Sequence, residues 1–248
     1  MEPDFVISER KDFEVKNAIL IDGFPSVGLV SAIASNFLIY QMNLEYVGSI
    51  QSRHLAPVAV VMDRQPFPPL RIYAGTPVCD TEGLCEQVIL VTSEFKVPDQ
   101  FLRPLATTML DWVKRRGIGM VVSMDAIPTE GDEASAEPVV GVGSTDKARA
   151  TLEKYEVPLL KGGIIAGISG VLLYEGFERG HDVACILSHA NPNYPDARGA
   201  ANLISFIDKM LLKINLDASP LFAQAEVIES QIKELRKKAL KGAAATVL

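Results

Sequence analysis

The sequence has few of the residues on which metal sites and disulfide frameworks depend. Its 248 residues include three histidines and three cysteines, Cys79, Cys85 and Cys185. The cysteines lack C-x-x-C spacing and are odd in number, which excludes a disulfide framework or a four-cysteine zinc site within one chain. No two histidines lie three or four residues apart, so no helical metal pair is available. We expect buried thiols in a reducing cytoplasm, and neither a metal nor another cofactor.

Positive charge and long apolar segments are also scarce. The chain has 24 basic and 31 acidic residues, a formal net charge of -7. Nucleic-acid binding depends on clustered Lys and Arg, so we expect no nucleic-acid partner. The acidic start Met1-Glu-Pro-Asp-Phe5 does not resemble an export signal. One uncharged stretch of 22 residues lies between Asp22 and Glu45, but Gly, Pro, Ser and Asn interrupt it. We interpret it as a turn and a buried helix, with no membrane contact.

The composition is typical of one globular unit, with 48% hydrophobic residues and a mean hydropathy of +0.18. Short runs rich in Val and Ile predict strands at 18–22, 46–50, 58–62, 70–74, 88–92, 120–124, 139–142, 162–165 and 182–188. Helical spacing predicts helices at 27–40, 99–116, 145–155, 195–212 and 220–241, and another that ends at 177.

This order of elements favours an α/β fold with a mixed sheet flanked by helices on both faces. Several strands of the first half are joined by gaps too short for a helical crossover, which indicates antiparallel neighbours. We expect a core domain at 1–215, followed at 216–248 by a C-terminal helical extension and an apolar tail that serve oligomerisation or partner docking.

A glycine-rich loop, Gly23-Phe-Pro-Ser-Val-Gly28, follows the first predicted strand. Its two glycines have the spacing of a Walker loop, but Leu29 and Val30 stand where Lys and Ser or Thr should follow. Pro25 likewise occupies the middle glycine position of a G-x-G-x-x-G motif. We therefore interpret Gly23, Pro25 and Gly28 as a structural turn, in which Gly28 allows a helix to approach the sheet closely.

A second loop, which contains Tyr194, Pro195 and Asp196, leaves the carboxyl end of a predicted strand, where open α/β sheets tend to bind ligands. Pro195 suits the first helical turn and Asp196 the positive end of the helix dipole, so structural roles explain this pair. Ser26, His189 and Asp196 are the residues one would nominate for nucleophilic catalysis. Because the G-x-S-x-G elbow is missing, we expect no catalytic residues.

The predicted terminal helix has a regular apolar spacing. Its apolar residues recur at intervals of four and three, the a/d pattern of a helix–helix seam: Leu221, Ala225, Ile228, Ile232 and Leu235. Fewer than three heptads are present, so packing on its own domain is an equal alternative. Together with the tail residues Val247 and Leu248, these residues are our candidates for oligomer or partner contacts.

Three segments together resemble the proteasome assembly chaperone 2 family, in particular its archaeal members. They are Ile21-Asp-Gly-Phe-Pro-Ser-Val-Gly-Leu-Val30, then Pro57 with Arg71-Ile-Tyr73, and Tyr194-Pro-Asp-Ala-Arg-Gly-Ala-Ala201, within a resemblance that covers residues 15–213. The resemblance implies a fold akin to nucleoside phosphorylases without their chemistry, self-association into rings or smaller oligomers, and binding to proteasome α subunits. Members that dock in α-ring pockets carry a penultimate tyrosine, where this sequence has Val247.

These features favour a non-enzymatic chaperone or scaffold that acts as a homo-oligomer on proteasome α subunits, alone or with a partner chaperone. The alternative is a small-molecule enzyme, a relative of nucleoside hydrolases or phosphorylases, that uses the clefts beside the two loops.

Overall fold

A computed structural model describes residues 3–10, 13–75, 87–129, 139–212 and 214–225 of the chain. Its strands are β1 (Val6–Glu9), β2 (Ala18–Gly23), β3 (Glu45–Gln51), β4 (Val60–Met62), β5 (Gln65–Phe67), β6 (Leu70–Gly75), β7 (Gln87–Ser93), β8 (Met120–Pro128), β9 (Val139–Gly143) and β10 (Val183–Ala190). Its α-helices are α1 (Val30–Gln41), α2 (Leu102–Arg116), α3 (Asp146–Lys154), α4 (Gly167–Arg179) and α5 (Ala197–Ile207). Short 3-10 turns, Val27–Leu29 and Asp99–Phe101, lead into α1 and α2.

Eight strands form one mixed sheet in the order β1-β3-β6-β7-β2-β8-β10-β9, and β4 pairs with β5 in a separate hairpin. The four central strands β7, β2, β8 and β10 are parallel. The strands β6, β3 and β1 continue the sheet antiparallel on one side, and β9 does so on the other. Every residue of β2 and β7 is buried, as expected for parallel strands covered on both faces. The predicted fold class is therefore confirmed.

The helices cover the two faces in separate groups. Helices α1 and α5 contact each other on one face, where Ile21 and Ile186 point, and α2 and α4 contact each other on the opposite face, below Leu20 and Cys185. Side chains that alternate along each strand supply the two cores. Cys185 is fully buried, whereas the other two cysteines lie outside the described residues. No helix in the described ranges is long and apolar enough to cross a bilayer.

Arg71, part of the family-like segment on β6, is fully buried yet has several partners. Its guanidinium forms an ion pair with Glu94 and donates hydrogen bonds to the Tyr73 hydroxyl at 3.1 Å and to the Pro68 carbonyl at 3.2 Å. A buried charge is tolerated when it is paired and hydrogen-bonded in this way. Arg71 therefore links β6 to the residue that follows β7 and to the turn before β6.

After α5 the chain forms a π-helical turn, Asp208–Leu212. Residues 214–218 then have no regular structure. The Asp208 carboxylate accepts hydrogen bonds from the amides of Ile214 and Leu216, each at 2.9 Å. Leu221 and Ala225 follow and are both buried by their own chain, 7% and 4% exposed. The other candidate contact residues, Ile228, Ile232, Leu235, Val247 and Leu248, lie outside the described residues.

Three details differ from the sequence-based expectations. The predicted strand at 162–165 is wrong: the segment has no regular structure and Ile164 is 97% exposed. Its glycine pair interrupts any ladder, and the free edge of β9 is used by the preceding residues, since Leu160 donates to the Gly141 carbonyl at 2.9 Å. Helix α5 begins at Ala197 with Asp196 as its N-cap, so Pro195 precedes the helix. The third difference is the pair of short strands β1 and β5, which no pattern predicted.

Candidate functional site

The two loops singled out in the sequence meet at the carboxyl ends of the parallel strands. The Asp196 amide donates to the Gly28 carbonyl at 2.7 Å. Gly28 has a φ of 60°, and a Cβ at this position would lie 2.9 Å from the Asn191 carbonyl oxygen. Gly28 thus allows close contact between two loops, in addition to the approach to the sheet that the sequence indicated. Gly23 is equally constrained, because its Cβ would overlap the Ser35 hydroxyl, 1.5 Å away.

A cleft of about 670 Å³ opens beside this contact. Four chain segments form its wall: 24–29, 96–102, 166–169 and 192–195, together with Met124 and Asp125 in the middle of β8. Pro25, Tyr194 and Pro195, which the sequence assigned to structure, all line it. The cleft lies where an open α/β sheet usually binds ligands, outside the carboxyl ends of its central strands.

Three helices begin at the cleft. In α1, the amides of Val30 and Ser31 donate to the Val27 carbonyl and to Ser26 Oγ. In α2, the Leu102 amide donates to the Asp99 carbonyl. Ala166 precedes α4 and gives its amides no side-chain hydrogen bond. By contrast, Thr145 caps α3, and Asp196 caps α5. The first amides of a helix lack partners within the helix, and the start of α4 has no side-chain acceptor for them.

A cluster of polar side chains lies below the cleft, between the sheet and α4. The Ser123 hydroxyl lies 3.1 Å from Asp22 Oδ1 and 3.0 Å from the hydroxyl of Ser169, which lines the cleft. Asp22 is completely buried and its Oδ2 has no hydrogen-bond partner. Burial raises the pKa of Asp22 well above its usual range, although the bond from Ser123 opposes the rise. Burial also raises the pKa of Asp125.

Ser26, His189 and Asp196 do not act as a catalytic trio in this arrangement. The Asp196 carboxylate accepts amide hydrogen bonds from Gly199 and Asn191, each at 2.9 Å, and so serves the cap and the loop. His189 Nδ1 lies 2.9 Å from the Thr129 hydroxyl. Ser26 Oγ accepts from the Ser31 amide at 3.1 Å. Of the three residues, Ser26 lines the cleft, whereas His189 and Asp196 are not part of its lining.

Sequence reasoning missed four polar residues of the cleft, Lys96, Asp99, Asp125 and Ser169. Asp125 directly follows the predicted strand 120–124. Open α/β sheets tend to bind ligands at the carboxyl ends of their strands, so the reasoning applied to the 189–201 loop also indicated Asp125. Lys96, Asp99 and Ser169 gave no such signal, because each comes near the cleft only through the placement of α2 and α4 over the sheet. Among the described residues, no three His, Cys, Asp or Glu side chains are grouped to hold a metal ion.

Comparisons with known proteins agree with this geometry. Over 233 residues, 94% of this chain and 91% of the relative, the sequence is 28% identical to the uncharacterized protein MJ0106 of Methanocaldococcus jannaschii. The crystal structure of Pyrococcus furiosus PbaA, an archaeal homologue of proteasome-assembly chaperone, is 29% identical, with a TM-score of 0.80 and coverage of 97% of this chain and 95% of PbaA. The archaeal proteasome activator PbaB of the same organism shares the fold, with a TM-score of 0.79, 22% identity, and coverage of 95% of this chain and 100% of PbaB.

A protein-family model also matches this sequence over most of its length. The model of the PAC2 family matches residues 20–236, which include both loops of the cleft, all of the parallel sheet except the first two residues of β2, and the start of the terminal segment. Because this match spans most of the sequence, the chain belongs to the PAC2 family.

Proposed function

We propose that this protein is a proteasome-assembly chaperone that binds proteasome α subunits as a homo-oligomer and makes or breaks no covalent bonds. The observation that carries the proposal is the full-length likeness to PbaA, a homologue of proteasome-assembly chaperone, with 29% identity and a TM-score of 0.80. The match of residues 20–236 to the PAC2 family supports the same role. The cytoplasm, where proteasomes assemble, is the compartment we propose for it.

The hydrogen bonds of the cleft support a role without catalysis. A hydrolytic trio needs a nucleophile, a base and an orienting acid in hydrogen-bonded sequence. Here Asp196 is committed to amides of its own loop and helix, and His189 to Thr129. We therefore place the hydrolase or phosphorylase alternative second.

We further propose that self-association uses the terminal segment beyond Ala225, through Ile228, Ile232 and Leu235. Leu221 and Ala225, at the start of the same seam, are buried by their own chain. They anchor the segment to the core, and the later seam residues are the ones we assign to contacts with a second copy or a client.

Size-exclusion chromatography with light scattering tests both the homo-oligomer and the binding of α subunits. The purified protein is run alone and mixed with proteasome α subunits from the same source. We expect a mass that is a multiple of the 26.9 kDa chain and a heavier complex in the mixture. A single-chain mass contradicts the homo-oligomer, and an unchanged elution profile of the mixture contradicts the client.

A chain that ends at Ala225 keeps the buried anchors and removes the proposed seam. We expect it to fold with an unchanged melting temperature and to elute as a monomer. The variant Ile232→Gln with Leu235→Gln should give the same result in the intact chain, because two apolar seam contacts are lost. The matched control, Glu229→Gln with Glu234→Gln, changes neighbouring residues outside the seam and should remain oligomeric. If the seam variant stays oligomeric as well, another surface carries the association.

A further inference from the structure

We propose that the outer side of α1 binds the terminal segment of a second copy of this chain. The receiving surface is Ile33, Phe37 and Tyr40, here called the outer stripe, and the occupant is the seam at residues 228–235. This inference rests on the self-association proposed above and names the surface to which the seam binds.

Helix α1 has no charged residue on any side. It falls within the uncharged stretch between Asp22 and Glu45. A helix on the surface of a globular protein normally carries charged residues on the side that faces away from the core. In α1 that side carries the outer stripe, Ile33, Phe37 and Tyr40, whose intervals of four and three residues align them along the helix.

The outer stripe is partly open to solvent. Tyr40 is 83% exposed, and Ile33 and Phe37 are half-buried against the core beneath the helix. Ala34 and Leu38, on the opposite side of α1, are fully buried. A partner on the outer stripe would therefore remove two aromatic side chains from water, and aromatic residues are enriched at protein interfaces.

The seam of the terminal segment has the same spacing as the outer stripe. Ile228, Ile232 and Leu235 also recur at intervals of four and three residues. In the helix that the sequence predicts at 220–241, these three residues span about 10 Å along one side, as the outer stripe does on α1. Helices with apolar residues at this spacing can pack along their length, so the seam and the outer stripe match in length and chemistry.

Another exposed apolar pair, Tyr174 and Phe177 on α4, is a poorer match for the seam. The Arg103 guanidinium lies 5.6 Å from the centre of the Tyr174 ring, and Glu178 and Arg179 follow Phe177 on the same helix. An apolar seam placed there would take these charges out of water without offering them a partner, which is unfavourable.

The position and the charge of the terminal segment also favour the outer stripe. Leu221 is buried in the apolar layer that α1 and α5 share, so the segment leaves the core on the face of the sheet that carries α1. Residues 226–248 include five basic and three acidic residues, whereas the whole chain has a net charge of -7. A positive segment and a negative core attract each other, which favours their association.

Cysteine cross-linking tests which surface and which copy the seam contacts. In chains with Cys79→Ser and Cys85→Ser, one carries Tyr40→Cys and the other Ile232→Cys, and the buried Cys185 is retained. When the two chains are co-expressed and mildly oxidised, we expect a linked pair at twice the single-chain mass on a denaturing gel, which reduction removes.

Three controls can overturn the assignment. Tyr174→Cys in place of Tyr40→Cys should give no linked pair, because Tyr174 is an exposed tyrosine on the opposite face of the sheet. A pair formed as readily by either cysteine chain alone would show stripe on stripe or seam on seam, and would refute the proposal. So would a chain with both Tyr40→Cys and Ile232→Cys that forms its disulfide within a single chain and gives no linked pair.

The variant Tyr40→Lys tests whether the outer stripe contributes to association. Because Tyr40 is so exposed, we expect an unchanged melting temperature, but the seam would bury an unpaired charge and the dissociation constant of the oligomer should rise at least about tenfold. The matched control Tyr174→Lys should leave the mass unchanged. If Tyr40→Lys stays oligomeric while Ile232→Gln with Leu235→Gln becomes monomeric, self-association stands and the outer stripe is the wrong surface. A native protein with a single-chain mass contradicts self-association itself.

Discussion

The buried carboxyl of Asp22 gives this protein a measurable dependence of stability on pH. Burial raises its pKa well above the usual range, so the native state holds a proton that the unfolded chain releases near a pKa of about 3.9. The contribution of Asp22 to the free energy of unfolding is therefore greatest below the unfolded pKa. It falls by about 1.4 kcal/mol per pH unit as the pH rises from there toward the native pKa.

Asp22→Asn removes this dependence, because asparagine has the shape of the protonated acid and no charge to bury. Its Oδ1 can still accept the Ser123 hydrogen bond, which is 3.1 Å long in the native protein. Within the same pH window we expect the variant to gain stability over the native protein by about 1.4 kcal/mol for each pH unit. Asp125, whose pKa burial also raises, adds a slope of the same sign in both proteins, so their difference reports on Asp22.

Urea denaturation at half-unit intervals from pH 4 to pH 8, followed by circular dichroism, measures the effect. Asp63→Asn is the matched control, since Asp63 is an exposed carboxylate in the turn between β4 and β5. Parallel stability curves for Asp22→Asn and the native protein across this range would refute the reasoning, as would an equal gain in the control.

Three further substitutions test how the loops and the sheet are held. For each, the loss of unfolding free energy is measured from the shift of the urea midpoint, with the slope of the free energy against urea concentration unchanged. Gly28→Ala adds a clash to an unfavourable φ, whereas Gly117→Ala, with φ 68° and no atom within 4 Å of the added Cβ, has the φ penalty alone. We expect Gly28→Ala to cost about 1–3 kcal/mol more than Gly117→Ala, and equal costs would contradict the loop contact. Arg71→Lys keeps the charge near Glu94 but loses the guanidinium fork, and should cost about 1–3 kcal/mol; no loss would show that the fork is dispensable. Asp196→Ala should cost about 1–2 kcal/mol through the lost cap, and an unchanged midpoint would contradict the capping role.

Local patterns predicted the central sheet and the long helices well. The run 18–22 became β2 at Ala18–Gly23, and the periodic segment 99–116 became the turn before α2 and α2 itself, which ends at Gly117 in a left-handed conformation. In both cases burial and capping act within a few residues, so the local sequence contains the information. The short edge strand β1 has no such pattern, because none of its four residues, Val6–Glu9, is buried.

The cleft was predictable only in part. The 189–201 loop was placed correctly, since the end of a buried strand can be recognised from the sequence. Lys96, Asp125 and Ser169 come together through the strand order, which brings β2 and β8 side by side although about a hundred residues separate them. Likewise the apolar pair Ile164–Ile165 has strand-like composition, but its place in the fold is decided by which sheet edges are already paired.

A single carboxylate fixes the direction in which the chain departs from its core. Asp208 holds the amides of both Ile214 and Leu216, and Leu221 then closes over the apolar layer. The geometry of the exit is thus settled before Ala225, independently of whatever follows. Related chains can accordingly carry terminal segments of different length or chemistry without any rebuilding of the core that precedes them.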